Sequence, residues 1–563
     1  MRDHDHQDDD DTMELPLGDD VVVSAWLDLS VTATYHPSID DDDDVLLPVE
    51  GELEYLVNEY TSPYSASSPS SKSSNQPAEP AILASGTIHN ITITNSVADY
   101  HLGQIHLPSA KLWWPHTHGS QPLYSIKVVF RSYDRLHSND DNNDNSTMSP
   151  SMHESQSQST FGIRTISSYT HPKTKSFALR INGHSIFLQG GNWITTDQFL
   201  RYSNSPQRYF HELRLLCNVG LNSLRVWGGG IVETQHFYHA ADVLGLLIYQ
   251  EFWMTGDNNG RFAGDYDWPL DHEAYLANAR DVMIRMRNHP SLAWYGGGNE
   301  LYPIPPSSFS SSEKINGVSP PQDIEEGLQH LIAKLDGTRP YVTSSVMEAG
   351  DDDTFFDPTR ALGPKDGAYG ILNEHRFFER NPGLTSPLLS DDEIHRNLAA
   401  ADVKDKDAPG RNIGFQTETG SVSHPDLDSL QKFLSPEAMG AFPDCGEVSD
   451  NGGSVHEEWT YFKYLPFTET STEGGIDHIC AFLYPPSNTS TSNDGSTYRM
   501  ESIEDYTWAA QLAQYFQYKA LFEGYSARMW KWYSAVYIWK ASSPAPTFRG
   551  ALYDWYLSTN GGY

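Results

Sequence analysis

The chain has 563 residues, more than one hydrophobic core usually supports, so we expect at least two domains, one of them large. Its formal net charge is −38, with about half of that charge in the first 60 residues, and this acidity disfavours nucleic acid as a partner. The three cysteines, Cys217, Cys445 and Cys480, are too few and too far apart for a disulfide framework or a metal knuckle. We therefore expect no metal site and no cofactor.

The amino-terminal region is acidic and carries no targeting pattern. Residues 1–20 are expected to form an acidic tail, and the aspartate runs at 8–11 and 40–44 are typical of solvated loops. The chain lacks an apolar run of membrane-spanning length and a basic start followed by an apolar stretch. We expect a soluble protein with no membrane partner and no signal peptide, and leave a vacuolar, lysosome-like or cytoplasmic location open.

Residues 21–175 have the pattern of an antiparallel β-sandwich. Short apolar segments, such as residues 21–23 and 91–93, alternate with polar interruptions. Two insertions, at residues 61–78 and 137–160, are rich in Ser, Pro, Asn and Asp. Their apolar content is too low for independent folding, so we predict disordered loops there.

Residues 180–563 have the pattern of an α/β fold, because apolar β-like runs alternate with segments of helical periodicity. The predicted strands are residues 185–188, 223–227, 246–249, 292–295, 341–346, 413–416 and 535–539, with helices such as 207–219 and 271–287 between them. This alternation favours a (β/α)₈ TIM barrel. The missing strand is assigned to residues 368–372, within a stretch rich in Asp, Pro and Gly.

Two glutamates stand directly after predicted barrel strands. In such barrels the active site lies at the carboxyl ends of the strands. Residues 292–300 end in Gly-Gly-Gly-Asn299-Glu300, and residues 413–420 contain Glu418 in a similar place. A single glutamate there would be more typical of a surface ion pair or a helix cap, but barrel closure brings these two together.

A pair of carboxyl groups is what cleavage of a glycosidic bond requires. The glycosidic oxygen is a poor leaving group, so one carboxylic acid must protonate it while another stabilises the cationic sugar. The 14 Trp, 31 Tyr and 23 Phe residues permit stacking on sugars, although most aromatic side chains are expected to fill cores. These features predict a glycoside hydrolase with Glu300 and Glu418 as its working carboxyls.

Several segments together resemble glycoside hydrolase family 2, and within it the plant-type mannosylglycoprotein endo-β-mannosidases. They are residues 190–194 (Gly-Gly-Asn-Trp-Ile), 224–230 (Leu-Arg-Val-Trp-Gly-Gly-Gly), 250–257, 296–300 and 415–420. Residues 111–115 and 161–164 resemble the end of the immunoglobulin-like domain of that family. The similarity covers about residues 105–563, so the resemblance implies an immunoglobulin-like β-sandwich followed by a catalytic barrel.

The resemblance also implies roles for three residues. Glu300 corresponds to the general acid and base, Glu418 to the nucleophile of a retaining double displacement, and Asn299 to a residue that hydrogen-bonds the 2-hydroxyl of the sugar. Retention requires carboxyl groups roughly 5 to 5.5 Å apart.

Other residues at strand ends are expected to shape the substrate pocket. They are Asn192, Trp193 and Asp197 after the first strand, Arg225 and Trp227 on the second, Glu251 and Trp253 on the third, and Trp539 on the eighth. Trp539 is the preferred stacking platform. Structural roles remain open for Arg225 as a brace of a catalytic carboxylate, for Trp227 as core, and for Glu251 as an ion-pair partner.

The implied substrate is an oligosaccharide or glycopeptide with a β-mannosidic bond, most specifically the Manβ1-4GlcNAc linkage of N-glycans. Exo-β-mannosidase and exo-β-D-glucosaminidase are the alternative activities, and an inactive carbohydrate-binding fragment is the alternative from another class. The full-length family has further domains at both ends, so we expect a fragment or a truncated gene product. Association with such domains on another chain is conceivable.

Overall fold

The computed structural model describes residues 22–34, 49–64, 81–93, 97–133, 152–260, 262–301, 319–347, 359–363, 366–367, 374–378, 414–420, 423–442, 456–462, 502–548 and 551–563. These residues belong to two compact units, one formed by residues 165–287 with 291–563 and the other by residues 15–164 with 288–290. The expected acidic tail, the two aspartate runs and the strand predicted at 368–372 lie outside the described residues.

The smaller unit contains two antiparallel sheets. Strands β1 (Val22–Thr34) and β4 (Val97–Lys111) form one pair. Strands β2 (Val49–Tyr60), β3 (Ile82–Ile93), β5 (Leu123–Tyr133) and β6 (Met152–Phe161) form the other sheet, in the order β3-β2-β5-β6. One cluster of buried side chains includes Leu107 from the first sheet and Leu53, Val57 and Tyr124 from the second. The two sheets therefore share a hydrophobic core.

Strand β6 corrects the prediction for the second insertion. Residues 152–160 were expected within a disordered loop, yet they pair with β5 along its whole length. The side chains of the first seven residues of β6 are exposed, and β6 lies at the edge of its sheet. An edge strand of this kind is held by backbone hydrogen bonds to its neighbour. Because its side chains need not alternate between apolar and polar, the sequence gives no sign of the strand. Residues 65–80 and 137–151 lie outside the described residues.

The larger unit begins with a three-stranded antiparallel sheet and continues with a parallel one. Strands β7 (Ile166–Thr170), β8 (Phe177–Ile181) and β9 (His184–Ile186) form the first. The parallel strands are β10 (Leu188–Trp193), β11 (Ser223–Val226), β12 (Leu247–Glu251), β13 (Leu292–Gly296), β14 (Tyr341–Val342), β17 (Phe415–Thr419) and β18 (Ala535–Ile538), in the order β14-β13-β12-β11-β10-β18-β17.

Two further short strands extend this arrangement. Strand β15 (Ser344–Val346) follows β14 after one residue and pairs in parallel with β16 (Ala361–Gly363). The whole set is a parallel half-barrel with the strand order that a (β/α)₈ barrel has. The strand that pairs next to β15 is thus β16.

The first strand of the parallel sheet also differs from its predicted position. Residues 185–188 were predicted, but His184–Ile186 belongs to the antiparallel sheet and the barrel strand is Leu188–Trp193. The sequence of β10, Leu-Gln-Gly-Gly-Asn-Trp, is poor in β-branched residues. Its glycines are required by close packing, because a Cβ on Gly190 would lie 2.3 Å from the Tyr537 ring.

The helices of the larger unit lie between the parallel strands. They are α1 (Pro206–Asn218), α2 (Gln235–Leu244), α3 (His272–Met286), α4 (Gln322–Leu335), α5 (Leu427–Phe433), α6 (Pro436–Gly440), α7 (Glu457–Tyr461) and α8 (Ile503–Ala527), with a 3₁₀ helix at Glu374–Phe378. The predicted helices at 207–219 and 271–287 are confirmed as α1 and α3. No helix in the described ranges is long and apolar enough to cross a membrane.

Local sequence explains where these helices start and what they cover. The Ser205 side chain caps α1, which begins at a proline, and the Asp271 side chain caps α3. Leu213 and Leu216 of α1 are fully buried in the same core cluster as Leu224 of β11. Burial of each such leucine contributes about 2 kcal/mol. The helices thereby fix the strands, whose carboxyl ends carry the candidate site.

Candidate active site

The position of Glu300 is set by the closely packed glycines at the end of strand β13 and directly after it. A Cβ on Gly297 would lie 2.4 Å from the carbonyl oxygen of Thr343, and a Cβ on Gly298 would lie 2.3 Å from that of Met254. Only glycine fits so close to neighbouring backbone. Glu300 itself has a φ of 48°, which is uncommon for a residue with a side chain, and its N–H donates to Ser345 Oγ at 3.0 Å.

Glu418 lies within strand β17, all five residues of which are buried. The pairing of β17 with β18 is irregular between Gln416 and Thr419, the stretch that contains Glu418. Gly420 follows with a φ of 95° and ends the strand. The side chain of Glu418 is only 6% exposed, so its carboxyl group is largely removed from water.

Arg225 of strand β11 links several of the candidate residues through hydrogen bonds. Its guanidinium is fully buried and donates from Nη1 to Glu418 Oε1 at 2.7 Å and to Asn192 Oδ1 at 2.8 Å. Its Nη2 donates to Asn299 Oδ1. Because a guanidinium carries its donors in a rigid planar fork, these contacts fix the relative positions of side chains from four strand ends.

Glu251, the last residue of β12, supplies the main counter-charge to Arg225. Its Oε1 accepts from Arg225 Nε at 2.9 Å and its Oε2 from Nη2 at 3.1 Å. It also accepts from the Tyr249 hydroxyl at 2.9 Å and from the N–H of Gly228 at 2.7 Å. Although burial opposes the charged form, Glu251 and Glu418 raise the pKa of Arg225 well above its usual value. The guanidinium therefore stays charged.

Asn192 and Asn299 differ in how far the N–H groups of their side-chain amides are already used in hydrogen bonds. Both amide hydrogens of Asn192 are used, since Nδ2 donates to the carbonyl oxygens of Thr417 and Ile538, each at 3.0 Å. The Nδ2 of Asn299 lies 3.4 Å from Glu300 Oε2, a long contact. Asn299 thus links Arg225 to Glu300, and Asn192 fixes Arg225 against β17 and β18.

Asp366 contributes a third carboxyl group near Glu300 and Glu418, and it is not among the site residues predicted from the sequence. Its pKa is raised well above the usual aspartate value, first by burial and then by the negative charges of Glu418 and Glu300. Its Oδ1 accepts a hydrogen bond from the Thr417 hydroxyl. Nothing in the surrounding sequence, a stretch of Asp, Pro and Gly without periodicity, distinguishes this aspartate from its neighbours.

Two tryptophans form an aromatic corner next to this cluster. The rings of Trp227 and Trp539 meet edge to face with centroids 5.5 Å apart, and both side chains are half-buried. The backbone N–H of Trp539 donates to the Thr419 carbonyl oxygen at 2.8 Å, and this bond holds Trp539 beside the end of β17. Trp253, also half-buried, packs edge to face on Phe252 and Tyr275.

The remaining two predicted residues lie among other partners. Trp193 is fully buried in the main hydrophobic core and donates from Nε1 to Glu233 at 2.8 Å. The Asp197 carboxylate is paired with Arg201 at 2.7 Å and accepts from Trp555 Nε1 at 3.2 Å. The structure therefore brings together Asn192, Arg225, Glu251, Asn299, Glu300 and Glu418, but not Trp193 or Asp197.

The arrangement can perform acid–base and nucleophilic chemistry at one place. It offers two carboxyl groups from different strands, a buried permanent cation bound to one of them, and an amide beside the other. Across the described ranges, no group of three or more His, Cys, Asp or Glu side chains is arranged to hold a metal ion.

Comparison with known proteins relates the chain to β-mannosidases. No family model matches it. The mannosylglycoprotein endo-β-mannosidase of Lilium longiflorum is 31% identical over 487 residues, which cover 83% of this chain and 43% of that protein. Beta-mannosidase B of Emericella nidulans is 34% identical over 197 residues, 34% of this chain and 20% of that one. The chain spans less than half the length of these relatives.

Comparison with solved structures shows that other glycosidases have a fold similar to that of this chain. The β-D-mannosidase from Dictyoglomus thermophilum has a TM-score of 0.59 at 19% identity and is matched over 98% of this chain and 54% of its own. The exo-chitosanase from Amycolatopsis orientalis has a TM-score of 0.59 at 18% identity, over 96% and 51%. The endo-β-mannosidase and β-mannosidase relatives, with this shared fold, place the chain in glycoside hydrolase family 2.

Proposed function

We propose that the chain is a retaining glycoside hydrolase that cleaves a β-mannosidic bond, with Glu418 as nucleophile and Glu300 as general acid and base. The observation that carries this proposal is the linkage of the two glutamates through Arg225 and Asn299 at the carboxyl ends of parallel strands. The names of the two curated relatives, an endo-β-mannosidase and a β-mannosidase, support the choice of bond.

The first step needs an ionised nucleophile. A buried cation that donates a hydrogen bond to a carboxyl group favours its charged form, and Arg225 holds this place at Glu418. Glu418 attacks the anomeric carbon while Glu300 transfers its proton to the leaving oxygen, and the glycosidic bond breaks. The products of this step are the free leaving group and a covalent glycosyl ester of Glu418.

The second step reverses the role of Glu300. As a carboxylate it removes a proton from water, and the resulting oxygen attacks the anomeric carbon and displaces Glu418. Two inversions at the same carbon restore the original configuration. This cycle requires the two carboxyl groups to be about 5 to 5.5 Å apart.

The neighbouring residues have separate roles in this proposal. The Oδ1 of Asn299 accepts from Arg225, so its Nδ2 points the donor side of the amide toward Glu300 and can bind the sugar's 2-hydroxyl. Asn192 and Glu251 act through Arg225 as positioning residues of the substrate site. Trp539, with Trp227 against it, offers a ring face for stacking on the sugar.

Trp253, Trp193 and Asp197 complete the proposed substrate-binding set at its margin. Trp253 is half-buried and packs beside β12, whereas Trp193 and Asp197 would act only through the partners that hold them, Glu233 and Arg201.

The domain assignment also forms part of the proposal. Residues 1–20 are an acidic tail, residues 21–175 an immunoglobulin-like β-sandwich, and residues 180–563 a complete (β/α)₈ barrel. The shared core of the two antiparallel sheets supports the sandwich, and the parallel half-barrel with β15 and β16 supports the barrel. Association with further family domains on another chain is proposed on the basis of the relatives' greater length.

The proposed substrate is the Manβ1-4GlcNAc bond of an N-glycan or glycopeptide, supported by the name of the Lilium longiflorum relative. Exo-β-mannosidase activity is the second candidate, because Beta-mannosidase B of Emericella nidulans is 34% identical over a shorter stretch. Exo-β-D-glucosaminidase activity and an inactive carbohydrate-binding fragment are tested by the same assay.

The test compares a Manα-Manβ-GlcNAc₂ glycan with p-nitrophenyl β-mannoside and p-nitrophenyl β-glucosaminide, using the wild type, Glu300→Gln and Glu418→Gln. We expect cleavage of the glycan at its β-mannosyl bond, and losses of at least about 1,000-fold in both variants. Cleavage of a simple mannoside or glucosaminide alone would move the proposal to the matching exo activity. A folded wild type that binds the glycan but cuts none of the three would favour the binding fragment.

A further inference from the structure

Asp366 is held against the strand that carries Glu418. The N–H of Gly367 donates to the Glu418 carbonyl oxygen at 2.9 Å, and Gln416 Nε2 donates to the Gly367 carbonyl oxygen. The Thr417 hydroxyl donates to Asp366 Oδ1. Three consecutive residues of β17 therefore fix the position of the Asp366 carboxyl group, which follows β16 at the carboxyl end of the parallel strands.

The second oxygen of this carboxyl group has no use in the fold as described. Asp366 Oδ2 is buried and has no hydrogen-bond partner among the described residues. Buried polar atoms in native proteins are almost always paired, with protein, water or ligand. Burial and the adjacent charges of Glu418 and Glu300 raise the pKa of Asp366, so the group keeps its proton where an ordinary aspartate would lose it. A neutral carboxyl can donate as well as accept.

The position of Asp366 relative to both glutamates indicates what its partner is. A sugar undergoing cleavage must lie between the nucleophile and the general acid, because one reaches its anomeric carbon and the other its leaving oxygen. Asp366 is close enough to Glu418 and to Glu300 for each charge to act on its carboxyl group. A hydroxyl of that sugar would meet a neutral partner there rather than a further negative charge beside Glu418.

We propose that Asp366 binds a hydroxyl group of the sugar whose glycosidic bond is cleaved, through its carboxyl oxygen Oδ2. This inference rests on the proposed glycoside hydrolase function and deepens it, since it adds a specificity-determining contact to the residues that the sequence singled out. Asp366 takes no part in bond making or breaking. It selects sugars that present a hydroxyl group at the matching carbon.

The test is a double-mutant cycle, in which one change is a substitution at Asp366 and the other is the removal of a single hydroxyl group from the substrate. Wild type, Asp366→Ala, Asp366→Leu and Asp366→Asn are compared on the compound of the three that the wild type cleaves best. They are also compared on analogues of that compound that lack one hydroxyl group on the sugar at the cleaved bond. Loss of one hydrogen bond predicts about a tenfold lower kcat/KM for Asp366→Ala on the parent compound. On one deoxy analogue, where the wild type has already lost the contact, the same substitution should have no further effect.

The outcomes separate this inference from the proposed function. An Asp366→Ala variant that loses the same factor on the parent and on every analogue would overturn the inference, because Asp366 would then act only through the shape of the site. A folded wild type without activity on any mannoside or glycan would instead contradict the proposed function itself. If the Ala variant does not fold, Asp366→Leu carries the same cycle, since leucine is close to aspartate in size and its side chain makes no hydrogen bond.

Asp554→Asn is a matched control. Asp554 is another buried aspartate with a raised pKa, caused by burial first, and with an Oδ2 atom that lacks a partner among the described residues. It accepts backbone hydrogen bonds from Tyr556 and Ser558, and neither of these residues is among the hydrogen-bond partners of Arg225 described above. We expect the ratio of kcat/KM between the parent and each deoxy analogue to equal that of the wild type.

Discussion

At the scale of single residues, the candidate site depends on the geometry of one guanidinium group. Arg225 donates to two carboxylates and two asparagines at once, with all of these groups buried. A lysine would keep the charge but cannot present a planar fork with five donors. The arrangement of Glu418 relative to Asn299 should therefore depend on arginine and not merely on positive charge.

The substitution Arg225→Lys tests this dependence. We expect kcat/KM on the wild type's best substrate to fall about 10- to 100-fold, since at least one hydrogen bond to a charged group is lost. The control is Arg214→Lys, which changes an exposed arginine on α1 and should leave activity unaltered. Steady-state kinetics of both variants, with melting temperatures for folding, provide the measurement. Equal kcat/KM for Arg225→Lys and wild type would contradict the assigned role of Arg225.

Asp366 gives a second prediction, in the pH dependence of stability. Its pKa in the folded protein lies well above 3.8, the value expected in the unfolded chain. Above pH 3.8 the unfolded chain releases this proton and the folded protein keeps it, so stability is fully present below pH 3.8 and is lost as pH rises toward the folded pKa. The slope for one such group is about 1.4 kcal/mol per pH unit.

Asp366→Asn should remove this loss. The difference in free energy of unfolding between variant and wild type is therefore expected to grow in favour of the variant as pH rises above about 4. Urea unfolding at a series of pH values measures it, with Arg214→Lys as a variant whose difference should stay flat. A difference that does not change with pH would contradict the protonated state of Asp366.

The sequence located part of this site. Glu300 and Glu418 could be found because each follows an apolar run with glycines or small polar residues beside it, and Arg225, Asn192 and Glu251 because they stand at strand ends. Asp366 could not, because its position depends on hydrogen bonds to β17, whose residues lie 51 positions further along the chain. Trp193 was predicted to follow a strand, but it is the last residue of β10. Its ring packs into the hydrophobic core and donates to Glu233, which the sequence does not reveal.

At the scale of elements, the exit of β13 controls where Glu300 lies. A Cβ at position 298 would lie 2.3 Å from the Met254 carbonyl oxygen, and the N–H of Asn299 donates to that same oxygen at 2.9 Å. A side chain at position 298 would have to push two barrel strands apart. The glycine run after β13 is therefore a requirement of close backbone packing.

The substitution Gly298→Ala should both destabilise the protein and reduce activity. Overpacking against rigid backbone costs about 1 to 3 kcal/mol, and displacement of Asn299 and Glu300 should lower kcat more than it changes KM. Gly440→Ala is the matched control, because a Cβ at Gly440 meets nothing within 4 Å. Thermal unfolding and kinetics would refute this account if both alanine variants behaved alike.

The elements also show why some strands were predicted and others were not. Strands β11, β12, β13 and β18 are fully buried and rich in apolar residues, so their hydrophobic runs could be recognised in the sequence. Strand β10 contains two glycines at which other side chains pack, and β6 is an exposed edge. In both cases the partner strand determines the structure, and a local pattern carries little of that information.

At the scale of the whole molecule, one buried histidine should affect stability in acid. His424 is enclosed by Trp459, Tyr506 and Phe548, and its Nδ1 lies 2.8 Å from the Pro425 carbonyl oxygen. Burial lowers the pKa of His424 from 6.5 to about 4. Below pH 6.5 the unfolded chain gains a proton that the folded protein does not take up until about pH 4.

Stability should therefore be complete above pH 6.5 and decrease as pH falls toward 4, by about 3 kcal/mol from this group. His424→Asn keeps a donor near the Pro425 carbonyl oxygen but cannot titrate. The variant should be less stable at neutral pH, since it loses ring packing, yet its unfolding free energy should fall less steeply between pH 6.5 and 4. Parallel curves for the variant and wild type would rule out His424 as the source.

The proposed mechanism requires a covalent bond between Glu418 and the sugar during β-mannoside cleavage. The most direct measurement is incubation of the wild type with 2-deoxy-2-fluoro-β-mannosyl fluoride, followed by intact mass and peptide mapping. We expect a mass increase of one fluoromannosyl group, located on Glu418 and absent from Glu418→Gln. A label on another residue, or full turnover of the natural glycan in Glu418→Gln, would contradict it.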